Sequence, residues 1–327
     1  MATYCCGAQG PEVASIQQKL KDAGIYNGPI DGIFGGGTES AVRAFQRRVN
    51  LTTDGIVDPA TWAKLFAGAA PGETEMKQPA ITAEPLALRC LALTGSFETA
   101  LPLPDCFAGL SGNFDGQGIS FGVCQWNLGQ NSLQPLFSEL SDTEAKLVDA
   151  IFHDYAAEFR KMIASPHEEQ MEWASSIQDA RHNLVEPWLG LFKSLGRTPE
   201  FQAIQASHAS RLFQGALDLC HEFDVGSERA AALMFDIKVQ NGSISDLVKA
   251  QIERDYAGIP ADEAANAVEA LRLQIIANRR AQACNPQWVA DVRDRKLTIA
   301  NGAGTVHGRR YDLEAQYGIG LGAFAPA

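Results

Sequence analysis

No two of the seven cysteines (Cys5, Cys6, Cys90, Cys106, Cys124, Cys220, Cys284) stand in Cys-x-x-Cys spacing, and the chain contains no His-Glu-x-x-His run. These absences remove the usual sequence marks of a zinc site and of a zinc peptidase, so neither metal nor cofactor is expected. No cysteine sits in a glycine-framed nucleophile setting, which excludes the thiol peptidase and amidase readings. The odd count leaves at least one thiol outside any internal pairing, and most are read as buried thiols. Long apolar runs are lacking too: nothing approaches the roughly 18 residues of a spanning helix, so no membrane insertion is expected. The opening "MATYCCGAQG" has neither the basic nor the apolar region of a secretion signal, and the expectation is synthesis in the cytoplasm. Basic residues are scarce: 27 Lys and Arg stand against 39 Asp and Glu, a formal net charge of −12. Phosphate backbones need clustered cations, so nucleic acid is not an expected partner and a neutral polymer fits better.

What is present is ordinary globular composition, 46% hydrophobic and 20% charged over 327 residues, enough for one large core and a small satellite domain. The satellite is at the front. "DGIFGGGT" from Asp31 and "DGIVDPAT" from Asp54 share Asp, Gly, Ile and Thr at an offset of 54 − 31 = 23 residues, an internal repeat. Each is a turn feeding a helix. Thr38 is expected to cap a helix carrying Val42, Phe45 and Val49 on one face, and Asp58 to cap a helix with Pro59 at its first position. Pro11 opens a further helix with Val13, Ile16 and Leu20. Phe34, Phe45, Trp62 and Leu65 are the expected core of this three-helix module.

The segment from Gly10 to Phe66 resembles the three-helix peptidoglycan-binding domain of bacterial and phage wall hydrolases. The likeness rests on Gly24, Asp31-Gly32, Phe34-Gly35, Thr38, Ala41-Val42, Phe45-Gln46, Asp54-Gly55 and Thr61-Trp62, with departures at Asn50 and Asp58, where the family usually has glycine. The resemblance implies bacterial peptidoglycan as partner. After it, "AGAAPGETEMKQPA" has no period and reads as a linker. The expected division is a peptidoglycan-binding domain over 1–66, a linker over 67–80 and a larger domain over 81–327.

The larger domain reads as mainly helical. "TAEPLALRCLALTGSFET" suggests a Thr82 cap, Pro85 in the first turn, and Leu86, Cys90, Leu93 and Phe97 on one face, ending near Glu98. A carboxyl group there meets desolvation and the helix's negative pole, an environment that suits a general acid; a solvated helix-end glutamate is the plainer alternative. A proline-marked loop (Pro102, Pro104) leads to "GNFDGQGISFGVCQWNLGQ", in which Asp115-Gly116 and Gln117-Gly118 mark tight turns and Ile119 to Trp126 is either strand or a helix start. Asp115 either faces Glu98 across a cleft or simply bends the chain.

Glutamate, glycine-rich hairpin, then a helical remainder is an order similar to that of the lysozyme superfamily. "SFET…FDGQGISFG" resembles the chitosanases of that superfamily, and Ser120, Gly122 and Gln125 are similar to the Ser-x-Gly-x-x-Gln segment of goose-type lysozymes and lytic transglycosylases. The likeness covers roughly Ala83 to Phe137. It implies a larger lysozyme-like α+β domain with a small β-hairpin, Glu98 as acid, Asp115 as base, and Ser120 holding the water. Gln125, Trp126 and Asn127 would line a sugar groove, Trp126 with core packing as its alternative.

Further on, "SDTEAKLVDAIFHDYAAEFRKMI" is expected to open on a Ser141/Glu144 capping box and bury Leu147, Ile151 and Tyr155. "SERAAALMFDIKVQNGSI" reads as a central helix ending at Asn241-Gly242, with Asp236, Gln240 and Asn241 as either substrate contacts or interior polar groups. Near the end, "RDRKLTIANGAGTVHGRRYDLEAQYGIG" reads as a glycine-rich loop able to close a cleft, with His307 a structural histidine or a sugar ligand, and Arg309 and Arg310 meeting wall carboxylates or the chain's own acids.

The functional expectation is a muramidase-like peptidoglycan hydrolase. A lytic transglycosylase, a chitosanase of the same fold and an inactive wall-binding structural protein stand beside it. A wall enzyme made without a leader needs a holin or a secretion apparatus for delivery, as in phage endolysins and injected effectors.

Overall fold

The computed structural model describes residues 4–6, 8–68, 79–101 and 104–324. The chain is mainly α with small antiparallel sheets. In order run α1 (Pro11–Asp22), α2 (Gly36–Arg48), α3 (Pro59–Leu65), α4 (Leu86–Thr99), β1 (Leu110–Ser111), β2 (Ser120–Phe121), β3 (Trp126–Asn127), α5 (Gln134–Thr143), α6 (Ala145–Phe152), α7 (Ala156–Ala164), α8 (His167–Ser176), α9 (Trp188–Gly196), α10 (Pro199–Glu222), α11 (Glu228–Asn241), α12 (Asp246–Tyr256), α13 (Ala265–Gln282), α14 (Val289–Asn301), β4 (Ala303–Val306), β5 (Arg309–Asp312) and α15 (Leu313–Tyr317). The chain separates into two compact units, 1–93 with 213–327, and 94–212. The division expected from sequence is drawn differently, and most of its linker, 69–78, lies outside the described residues.

In the first unit, α1, α2 and α3 enclose Val13, Ile16, Leu20, Phe34, Val42, Phe45 and Trp62, with Leu65 partly buried at the edge. Pro11 opens α1, and Asp58 caps α3 by accepting from the Thr61 amide, with Pro59 next. The repeat has a physical basis that its motif letters do not reveal. The Gln17 side chain donates to Asp31 Oδ1, the Ile33 carbonyl and Thr38 Oγ1 (2.8, 2.9 and 3.2 Å) and accepts from the Gly32 amide at 2.9 Å. Gln46 does the same with Asp54, Ile56, Thr61 and Gly55, at 2.8, 2.9, 3.2 and 2.9 Å. A buried carboxamide thus satisfies each Asp-Gly-Ile turn. Thr38 is therefore not a cap: α2 starts earlier, after Gly35, and the Thr38 hydroxyl faces Gln17.

The same unit holds the C-terminal third. "NGAGTVHGRRYD" is not a loop but a hairpin: β4 and β5 pair from Ala303↔Asp312 to Val306↔Arg309 and turn at His307-Gly308, both with positive φ. Arg309 grips Glu39 of α2 with two bonds (2.9 and 2.6 Å), and Arg43 reaches the same carboxylate at 3.1 Å. Burial works against the Arg309 charge, but Glu39 outweighs it and strengthens the cation. Of the chain's own acids and wall carboxylates, Arg309 takes the former.

Helix α11 ends at Gly242, as its sequence suggests, and is buried along most of its length. Asp236 is 0% exposed, with Arg295 and Lys296 of α14 on its two oxygens (Nη2 to Oδ1 2.6 Å, Nζ to Oδ2 2.8 Å). Burial alone would push the carboxyl up, yet the two cations hold it below the usual carboxylate range; burial in turn pulls Lys296 down.

In the second unit the core is aromatic: Phe121, Phe137, Phe152, Phe159, Phe192 and Phe201 are fully enclosed. Phe121 stacks on Phe201 at 5.5 Å and meets Phe192 edge-on at 5.4 Å, which fixes the three-stranded sheet β1-β2-β3 to the helices. Ser141 lies in the last turn of α5 rather than at a cap, because the helix breaks at Glu144, and the buried positions of α6 are Val148 and Phe152, one residue on from those expected. In the first unit Thr82 likewise is no helix cap: it sits in a 3-10 turn over Ala80–Ala83, its hydroxyl on the Pro79 carbonyl, and Pro85 precedes α4.

Asp236→Asn should cost about 3–5 kcal/mol, because it withdraws the carboxylate that pairs two buried cations. Scanning calorimetry on the full chain checks this. Since the Asp236 carboxyl is depressed, its stabilisation is complete above the unfolded-state value of about 3.9 and is lost as pH falls through the lower folded-state value. The variant's deficit should therefore shrink in acid.

Candidate active site

Glu98 occupies the last turn of α4 and is half-buried. The face of that turn one residue away is packed tightly: a Cβ on Gly95 would overlap the Val123 side chain, and one on Gly109 would overlap Thr99. The end of α4 is thereby pressed against the entry to β1 and the turn between β2 and β3. Burial of Cys90, Leu93 and Phe97 anchors the helix as its spacing suggests.

Asp115 is exposed, in the eight residues between β1 and β2. Its Oδ1 accepts from the Gln117 amide at 3.1 Å, an aspartate turn that aims the backbone at Gly116 and Gly118, both at positive φ. The loop is held from outside by one side chain. Gln178, just past α8, accepts from the Asn113 amide at 2.7 Å and donates to the Gly118 carbonyl at 3.3 Å and the Ala174 carbonyl at 2.6 Å. Asn113 closes the loop on itself by accepting from the Gly118 amide at 2.8 Å. Gly112 admits no side chain, because a Cβ there would overlap the His182 carbonyl oxygen.

Ile119 to Trp126 turns out to be two short strands. The register Ser111↔Ser120↔Asn127 puts those three side chains on one face of the sheet, and Leu110↔Phe121↔Trp126 on the other. Ser120 is half-buried and follows the Asp115 loop directly. Of the expected groove residues, Trp126 is 8% exposed and belongs to the core. Gln125 is spent on the hairpin: its amide donates to the Gly122 and Gly109 carbonyls (2.9 and 3.2 Å), and its oxygen accepts from Ser111 at 2.9 Å. Asn127 is buried and accepts from the Gln130 amide at 2.8 Å, shaping the next turn. These three hold the sheet rather than offering free polar or aromatic surface.

Asp236, Gln240, Asn241 and His307 belong to the other unit. Asp236 is enclosed by its ion pairs, and Gln240 accepts from Lys296 at 2.9 Å, so both serve the interior. Asn241 Oδ1 is shielded and lacks a hydrogen-bond partner among the described residues. His307 Nε2 lies 2.7 Å from Asp291 Oδ1 at the hairpin tip, where both remain partly exposed.

Sequence reasoning passed over Gln178, over Gln205, and over Phe114, which is 66% exposed beside Asp115. Gln205 is buried in α10, accepting from the Val123 amide at 2.9 Å and donating to the Phe107 carbonyl at 3.0 Å. The available signal was a glutamine within an apolar helical stretch, the same pattern as Gln17 and Gln46. Cys90, Cys106, Cys124 and Cys220 are buried, and no disulfide occurs among the described residues. Burial pushes the Cys5 thiol up to about 11 and Cys220 to about 12, which suits inert packing. No metal-holding cluster and no membrane-length apolar helix occurs among the described residues.

Residues 9–65 match the family described as "Putative peptidoglycan binding domain". Over 57 residues it is 42% identical to the N-acetylmuramoyl-L-alanine amidase CwlM of Mycobacterium tuberculosis, covering 17% of this chain and 14% of that protein. Over 55 residues it is 44% identical to the spore cortex-lytic enzyme of Bacillus cereus, covering 17% of this chain and 21% of the relative. The likeness to these curated relatives thus spans about a fifth of their length or less. The chain also aligns with the crystal structure of native chitosanase from Bacillus subtilis MY002, at 18% identity and a TM-score of 0.44, over 65% of this chain and 85% of that one.

Gln178→Leu keeps the volume but leaves the Asn113 amide and Gly118 carbonyl without this partner. A loss of about 1–3 kcal/mol of local stability is expected, read as faster amide hydrogen exchange across residues 112–119. Unchanged exchange there would mean that the loop holds itself.

Proposed function

We propose that the protein is a peptidoglycan hydrolase that cuts the glycan strand of the bacterial wall by general acid/base catalysis. The observation that supports this most is the placement of two carboxyl groups on one small, rigid framework. Glu98 ends a buried helix whose last turn packs on the sheet, and Asp115 is exposed on the clamped loop between that sheet's first two strands. A wall-binding module in the same chain supplies the polymer and raises its local concentration. The amidase and the spore cortex-lytic enzyme align with the same module, so it occurs in proteins named for wall lysis.

In the proposed reaction, protonated Glu98 gives its proton to the glycosidic oxygen as the bond to the anomeric carbon breaks. Asp115, ionised, takes a proton from a water on the opposite face of the sugar, and that water's oxygen bonds to the anomeric carbon. Ser120 orients the water. In this mechanism the configuration inverts, because the water attacks the face opposite the departing oxygen. Exchange with solvent then returns Glu98 to its acid form and Asp115 to its base form. Trp126 and Gln125 enter as supports of the sheet, and no substrate contact is assigned to Asp236 or Gln240.

Digestion of purified peptidoglycan, with products reduced by borohydride and weighed by mass spectrometry, tests this. Reducible muramic-acid ends are expected from the native protein. Glu98→Gln and Asp115→Asn should each lower the rate by about 10²-fold or more, the usual scale for an acid or base in this role. Anhydro ends that persist in Asp115→Asn would point to a lytic transglycosylase. A native protein that binds the wall without cutting it would leave only the binding role.

A further inference from the structure

Phe114 is an exposed aromatic ring beside Asp115, and it is not held loosely. Its backbone lies between Gly112, which abuts the His182 carbonyl, and Asn113, whose amide is fixed by Gln178. Its ring meets the His182 imidazole edge-on, with centroids 5.9 Å apart and planes at 71°. The facing segment is equally fixed. Gln178 and Leu184 form a bridge, and Asp179 Oδ1 accepts from the Arg181 and Asn183 amides at 2.8 and 2.9 Å. Those bonds, first among them that from the Asn183 backbone, hold the Asp179 carboxyl below its usual range and commit it to its own turn. Two ordered loops, 112–119 and 178–184, therefore make one rim. Along it stand an apolar ring beside Asp115 and, on the facing loop, the exposed side chains of Arg181 and His182.

An apolar ring fixed in water pays its ordering in advance, which suits the flat apolar face of a pyranose. A cation on the facing loop discriminates by charge: it attracts carboxylates and repels an ammonium. We infer that this rim is the subsite for a peptide-substituted muramic acid residue, with the sugar face on Phe114 and the stem-peptide carboxylates met by Arg181 and His182. The inference rests on the proposed hydrolase reading and deepens it. It assigns the site to an anionic, peptide-bearing glycan and against chitosan, whose free amines would meet Arg181. Phe114 is here a binding residue and Arg181 a specificity determinant, and neither moves a proton in the reaction.

The test compares the native protein, Phe114→Ala, Phe114→Tyr and Arg181→Gln on three substrates: intact peptidoglycan, the same strands stripped of stem peptides by an amidase, and chitosan. Both side chains are exposed, so unfolding temperatures should match the native value and a fall in activity can be read as lost binding. Arg181→Gln should raise KM on intact peptidoglycan about three- to fivefold at unchanged kcat, the scale of an exposed ion pair, and leave stripped strands unaffected. Phe114→Ala should raise KM roughly tenfold on both wall substrates, with Phe114→Tyr close to native. Native cleavage of the wall substrates with Arg181→Gln equally active on both, or with Phe114→Ala unchanged, overturns the subsite and leaves the hydrolase reading standing. Native cleavage of chitosan alone, or of nothing, overturns both.

Discussion

A peptide group withdrawn from water must find a hydrogen-bond partner, and a leftover donor or acceptor costs about 1–3 kcal/mol. Helices settle this internally, but this chain carries much irregular backbone and little sheet. It meets the constraint with glutamine. One carboxamide presents two donors and an acceptor from a single planar group, so it can bind a turn's amide and carbonyl at once. Gln17 and Gln46 do so for the two Asp-Gly-Ile turns of the front module, with distances that agree within 0.1 Å between the copies. Gln125, Gln178 and Gln205 do so around the three-stranded sheet. Strands of two residues each would be marginal on ladder bonds alone; these glutamine amides and Phe121 in the aromatic core make them a fixed platform.

For the proposed reaction the platform matters, because proton transfer is sensitive to position on the scale of an ångström. An aspartate on a glycine-rich loop would ordinarily wander. Here the loop bearing Asp115 is limited by Gln178 on one side and by the close approach of Gly112 to His182 on the other. On the α4 side, Gly95 and Gly109 do the corresponding work by having no side chain to hold helix and strand apart. Rigidity near the two acids thus comes from glutamines and glycines, residue types that a search for catalytic groups overlooks.

Legibility from sequence followed the range of the interaction. Local rules succeeded: Pro11, the Asp58-Pro59 start and the Gly242 stop are decided within one helical turn. So did the module's core, where the repeat doubled the signal. Rules that need a partner far along the chain failed. Thr38 has the chemistry of a cap but was taken by Gln17, 21 residues earlier. Ser141 and Glu144 have capping-box spacing, but α5 runs through Ser141 because Leu136, Phe137 and Leu140 bury its other face. The C-terminal glycines looked like a loop because the strands they flank are four residues long, and one is held by an arginine pairing with a glutamate 270 positions away. Near the candidate site, the glutamate at a helix end and the aspartate on a turn were legible, while the side chains that hold them in place were not.

Charge shows the same limit from the other direction. An acidic chain with polar residues on a central helix invites the view that those residues face a ligand. Asp236 instead lies between Arg295 and Lys296, and Glu39 between Arg43 and Arg309, so several of the scarce basic groups are used inside the fold. Buried ion pairs of this kind contribute little net stability but make the loss of one partner expensive, which suits them to fixing which helix faces which. The converse is more informative. A polar residue in the interior is explained by its partners, whereas a ring left largely in water is fixed by the chain only where it touches it. Phe114, 66% exposed beside Asp115, is such a residue: the chain fixes its backbone and meets its ring at His182, and the subsite proposed for it gives the open face a use.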